Sequence, residues 1–196
     1  MTCDDWALNQ IHVLCWFNMT ASNTKMKKLN VIFVLLFIGS IAQITFAQKP
    51  KTSPPEEKAT FVKGTRLLEQ DPFNKKAKDI NKGLLFWLIE APDVSVSLCS
   101  DFLDPVGDKY KYLPELTAQY TFGMGAFIIE NPDKAKDEAA VFTGGLESVS
   151  RRYESMIKVK PETINIYLDS LVEKRTKGEL RQLVEDILKK GGCKTK

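Results

Sequence analysis

The stretch PELTAQYTFGMGAFIIE, residues 114–130, is followed by Asn131-Pro132 and then by DKAKDEAAVFTGGLESVSRRYESMIKV, residues 133–159. Leu116, Tyr120, Met124, Phe127 and Ile128 recur in the first part at the spacing of one helical face. Ala135, Ala139, Phe142, Leu146, Val149, Tyr153, Met156 and Ile157 do the same in the second. Proline lacks the N–H that a continuous helix needs, so Asn131-Pro132 separates two helices and Pro132 opens the second. A joint this short makes them antiparallel neighbours, a helical hairpin. Both carry glycines inside the pattern: Gly123 and Gly125, then Gly144-Gly145. Glycine in a helix costs about 1 kcal/mol relative to alanine. Close approach of a neighbouring helix is the expected compensation, and a groove floor for an elongated ligand is the alternative.

The helical reading extends in both directions. Ala59–Gln70 is predicted as a first helix, with Val62, Leu67 and Leu68 apolar. Asp71-Pro72 then reads as a cap and start for a second, reaching about Glu90. Ile80, Leu84, Leu85, Trp87, Leu88 and Ile89 make its second half apolar nearly all round, which predicts a central, buried helix. Residues 92–113 are the least regular. Val94, Val96 and Leu98 alternate with serines as in a strand, yet Val94, Leu98 and Phe102 also share a helical face. A short helix is the preferred reading, followed by a loop through Pro105-Val106-Gly107-Asp108. Beyond Val159, Pro161 opens a helix with Ile164, Tyr167, Leu168, Leu171 and Val172 on its face. Thr176-Lys177-Gly178-Glu179 reads as a capping box for the last helix, which carries Leu180, Leu183, Val184, Ile187 and Leu188 and stops at Gly191-Gly192. The predicted fold is all-α: six to seven amphipathic helices in stacked antiparallel hairpins, after an N-terminal signal helix.

That signal occupies residues 26–47. Lys25, Lys27 and Lys28 precede VIFVLLFIGSIAQITF, residues 31–46, which carries no charge and ends at Ala47-Gln48. A basic flank, a short apolar run and a small-residue exit are the parts of a secretory signal. The run is shorter than the roughly 20 apolar residues of a spanning helix, so cleavage is expected, with an uncleaved inner-membrane anchor as the alternative. Residues 1–25 fit this poorly: Met26 begins an ordinary bacterial-looking start, MKKLN, so Met26 is the expected initiator and 1–25 reads as a misassigned gene start, with an extended n-region as the alternative. Residues 48–58, QKPKTSPPEEK, have a linker's composition. The helical domain is then expected over 59–192, with 193–196 as a tail. The expected location is periplasmic or secreted, with membrane contact only through the signal.

Cleavage at that point changes the chemical inventory. His12, the sole histidine of the chain, lies upstream, as do Cys3 and Cys15. Without histidine, Ser-His-Asp, Cys-His and His-metal sites are excluded within one mature chain. Cys99 and Cys193 remain, and in an oxidising compartment a pair invites a disulfide; two separate thiols are the alternative. Closing a loop of that length stabilises by about 4–5 kcal/mol in the chain-entropy model. Asp101, Asp104 and Asp108, with Glu115 beyond, could hold a cation or supply an acid–base pair, but turn chemistry accounts for their places beside Pro105 and Gly107. Tyr110, Tyr112, Tyr120 and Phe122 concentrate aromatic area beside Lys109 and Lys111; core packing is favoured over a recognition surface. Arg151-Arg152 reads as a solvated helix face near Glu147 and Glu154 rather than an anion site. The net charge of the whole chain is +3, with signs interspersed, which argues against nucleic acid.

Leu67-Leu68-Glu69-Gln70-Asp71-Pro72-Phe73-Asn74, Glu130-Asn131-Pro132-Asp133 and Val159-Lys160-Pro161-Glu162 resemble the junctions between tetratricopeptide repeats. The resemblance covers the joints alone, since prolines 72, 132 and 161 do not keep that family's 34-residue period. It implies stacked helical hairpins and, loosely, protein or peptide binding. Beyond the joints, the chain has the general look of a secreted bacterial helical protein. The expected function is a non-enzymatic helical module that binds an envelope protein or peptide, with no cofactor and no metal. A carrier or sensor of a small apolar ligand near Trp87 and Gly123–Gly125 is the alternative, and a carboxylate-based hydrolase a second. The candidate surface comprises Trp87, Tyr110, Tyr112, Tyr120, Gly123 and Gly125.

Overall fold

A computed structural model describes residues 52–193. The segment 1–25, the signal at 26–47, the start of the linker and Lys194–Lys196 lie outside the described residues. Six α-helices follow one another: α1 Pro55–Gln70, α2 Ala77–Glu90, α3 Leu113–Glu130, α4 Glu138–Val159, α5 Ile166–Lys177 and α6 Leu180–Lys189. Single 3-10 turns occupy Ser100–Phe102, Asp104–Val106, Pro132–Lys134 and Pro161–Thr163. None of the described residues is in a strand, and the all-α expectation holds.

The α3–α4 hairpin is the centre. Its contacts pair Gln119 with Ser148, Gly123 with Ser148 and Phe127 with Gly144, rising on one helix as they fall on the other, so the two are antiparallel. Glycine sets their separation. A Cβ added at Gly123 would stand 2.3 Å from the Ser148 Cβ, and one at Gly145 would meet the Tyr120 ring at 2.6 Å. These are below any real carbon–carbon contact, so close approach is what the glycines provide. Gly125 is covered by the Phe61 ring. Leu116, Tyr120, Phe122, Met124, Leu146, Val149 and Tyr153 fill the hairpin's core, with α1 packed over α3 and α4, and α5 and α6 over α4.

Several element boundaries depart from the sequence reading, each for a local reason. α1 begins at Pro55, inside the stretch 48–58 read as a linker, because Pro55 at the first helical position already has the required φ. Ser53 ahead of it is buried, and both its N–H and its hydroxyl donate to Asp93 Oδ1, at 3.0 and 2.8 Å. Asp71 closes α1 instead of opening α2, donating its N–H to Leu67 O. Asn74 then forms an Asx turn, accepting the N–H of Lys76, and α2 starts at Ala77. Pro132 and Pro161 open 3-10 turns; the helices proper are capped by Asp137, accepting from Ala140 N, and Asn165, accepting from Tyr167 N and Leu168 N. The expected capping box at Thr176 is not formed. Thr176 lies within α5 and its hydroxyl donates to Val172 O, while Gly178, at φ 73°, closes α5 in the left-handed conformation.

Two larger corrections concern the first third of the domain. Residues 92–99 form no helix. They run without regular structure to Cys99, with Val94 and Cys99 buried and Ser95 and Ser97 exposed. Nor is α2 buried. Leu84 and Leu88 face the core, but Phe86 is 69% and Ile89 71% exposed, and Leu85 is exposed too. The helix lies at the edge of the bundle, against α1 and α3 on one side.

Candidate functional site

A buried polar seam crosses the middle of the bundle. It begins on α1, whose inward face of Phe61, Thr65 and Leu68 carries Glu69 with it at one helical step. Glu69 is only 4% exposed. Its Oε1 accepts from Arg66 Nη1 at 2.7 Å and from the Ser148 hydroxyl at 2.6 Å; its Oε2 accepts from Arg151 Nε at 2.8 Å. On α3, the Gln119 amide donates to Ser148 Oγ at 2.8 Å and to Thr65 O at 3.3 Å. The Gln119 Oε1 accepts from Arg152 Nη1 at 3.0 Å. The seam therefore runs Arg152, Gln119, Ser148, Glu69, with each donor aimed at the next acceptor. Burying Glu69 is tolerated because two guanidinium groups and a hydroxyl replace its water.

Arg152 has no such compensation. It is 2% exposed, and no carboxylate of the described residues hydrogen-bonds it. Burial pulls its pKa down to about 10, with the charge of Glu115 opposing that shift, so it remains a cation at neutral pH. Its Nε is buried without a partner. A buried, incompletely satisfied charge costs several kcal/mol. The solvated face expected for Arg151-Arg152 is thus corrected: Arg151 is half-buried on Glu69, and Arg152 points into the bundle. The sequence held one sign of this. Arg152 sits between Val149 and Met156 at helical steps of three and four, inside the apolar stripe of α4.

A cavity of about 440 Å³ opens at Arg152, between α2, α3 and α4. Phe73, Tyr112, Ala118 and Met156 give it apolar walls, and Glu115, Lys78 and Asn81 add polar groups. Asn81 Nδ2 donates to Ala77 O at 2.6 Å, which fixes the amide and leaves its buried Oδ1 without a partner.

A second concavity, about 630 Å³, lies between α1 and α2. Phe61, Leu67, Ile80, Leu84 and Trp87 line it, with Gly64 and Gly83 on its floor and Glu56 and Glu57 at one end. The Trp87 indole donates to Glu57 Oε2 at 2.9 Å, and its ring lies 4.7 Å from that of Phe61.

The residues singled out as a candidate surface are dispersed among these features. Trp87 lines the α1–α2 concavity and Tyr112 the Arg152 cavity. Tyr110 donates to Thr163 O at 2.6 Å, and burial raises its pKa to about 12. Tyr120 is core, its hydroxyl buried without a partner and its pKa raised by burial. Gly123 and Gly125 are packed by Ser148 and by Phe61. Phe61 stands between Gly125 and Trp87, so the three do not share one open face. Cys99 and Cys193 meet at bonding distance, Cα atoms 5.0 Å apart across a sequence separation of 94. Asp101 accepts the Cys193 N–H at 2.9 Å. These three are the only His, Cys, Asp or Glu side chains, among the described residues, grouped closely enough to share an ion. Their sulfurs are spent on each other, and Asp104 and Asp108 are not part of the group. No helix of the described residues is long and apolar enough to cross a membrane. No protein-family model, no curated protein and no solved structure matches the chain.

Proposed function

We propose that the protein is an exported, non-catalytic helical module of the bacterial envelope that docks another protein through α2. The observation that supports this reading is the exposure of Phe86, Ile89 and Leu85 on a helix that also walls an apolar concavity. Monomeric domains rarely leave contiguous large apolar side chains in water without a partner for them. Helix-in-groove recognition uses such surfaces: an apolar helix edge, a neighbouring trough, and an aromatic anchor such as Trp87. Glu56 and Glu57 at one end of the trough favour a partner segment that is apolar with a basic end. A carboxylate-based hydrolase has less support, because Asp101 is occupied by the Cys193 N–H.

Site-specific photo-crosslinking in bacterial cells tests the reading. A photoreactive residue at Phe86 is expected to give one discrete adduct with an envelope protein, and the same residue at exposed Lys177 none. Equal adduct patterns at the two positions, or adducts only between copies of this chain, overturn it.

A further inference from the structure

We propose that the cavity at Arg152 is a binding site for a small organic acid with an apolar body, the carboxylate seated on the buried guanidinium. The site is separate from the exposed face of α2 and does not rest on it. Four observations converge. Arg152 is nine-tenths buried and more, yet its one hydrogen bond is to the neutral amide of Gln119. Its Nε is left without a partner. The space beside it is about 440 Å³, within the usual size of small-molecule sites, and mostly apolar. Asn81, lining the same space, carries a buried Oδ1 that the protein does not use.

The chemistry selects the ligand class. A guanidinium presents donors in a planar fork that matches a carboxylate, and in a desolvated setting that pairing is strong and directional. Phe73, Tyr112, Ala118 and Met156 favour a flat or branched apolar body. Lys78 at the wall adds positive charge, while Glu115, also at the wall, disfavours dianions. An organic acid would complete the charge pairing that Glu69 completes at the other end of the seam.

The test uses the mature chain and 3-phenyllactate, with 3-phenyllactamide as its neutral isostere, titrated by calorimetry. The Arg152 Nε–H resonance is followed by NMR. The acid is expected to bind at least tenfold tighter than the amide and to shift that resonance. Arg152→Met should abolish the difference between acid and amide. Ala118→Phe, which fills the cavity and leaves Arg152 in place, should weaken acid binding at least tenfold, so the inference survives a failure of Arg152→Met to fold. Equal binding of acid and amide, no binding of either, or unchanged acid binding in Ala118→Phe overturns it.

Discussion

The α3–α4 hairpin and α2 are written in the same alphabet and meet opposite fates. The second half of α2 and most of α3 are apolar on nearly every side. From Gln119 to Ile128 nearly every side of α3 is covered, because α1 lies on one flank, α4 on the other, and glycines at 123 and 145 let the backbones close. In α2 only the Leu84–Leu88 edge is covered, and Phe86 and Ile89 stand in water. Apolar content alone thus does not decide burial; the number of neighbours that can approach does. Gly64 of α1 lets Leu84 of α2 approach on one side, but no helix of the described residues covers the other, and α2 stays at an edge with surface to spare.

Substitutions that attack this contrast should rank accordingly. Gly123→Val should be the most damaging, since its Cβ would stand 2.3 Å from that of Ser148. A loss of about 4 kcal/mol or more, or failure to fold, is expected by urea denaturation; a loss under 1 kcal/mol would show that the hairpin is not tightly set. Leu146→Ala, at a fully buried position of α4, should cost about 3 kcal/mol by the same measurement.

Asp93→Asn comes next, at about 1–2 kcal/mol near neutral pH. Burial pushes the Asp93 carboxyl up, but the Lys58 ion pair and both Ser53 donors outweigh it and hold the pKa at about 2, below its ordinary 3.8. A depressed carboxylate stabilises fully above its unfolded value and loses that contribution as it protonates. The gap between wild type and Asp93→Asn should therefore be constant above about pH 4 and close as pH falls toward 2. Denaturation midpoints across that window check it, and a gap unchanged at pH 2 would remove the carboxylate from the account. Ile89→Ala should be smallest, within about 0.5 kcal/mol, although it deletes as much apolar volume as Leu146→Ala. A cost near 2 kcal/mol would mean that α2 is covered after all.

Much of this architecture is legible in the residues, and the failures are instructive. The α3–α4 hairpin is written in its period and in Asn131-Pro132. The joints are misplaced by a few residues because proline marks where a helix has ended, whereas Asp137 and Asn165, side chains able to accept an N–H, mark where the next begins. Thr176 and Glu179 have the right identities and spacing for a capping box, but Gly178 between them takes the left-handed turn that ends α5. Arg152 is the harder case. Adjacent arginines suggest a wet face, and only their separate positions on the helix send Arg151 to Glu69 and Arg152 inward. The Cys99–Cys193 pairing was open because no local rule brings residue 193 to residue 99.

That pairing divides the covalent molecule unevenly. The bond closes a covalent ring holding α3, α4, α5 and α6, while α1 and α2 are joined to it covalently only through residues 91–98. A protease that cuts once inside the ring leaves a single piece, still tied at Cys193. One that cuts in the strap before Cys99 severs the covalent link to α1 and α2 and leaves them held by non-covalent contacts alone, among them the packing of α1 on α3 and α4 and the bonds of Glu69.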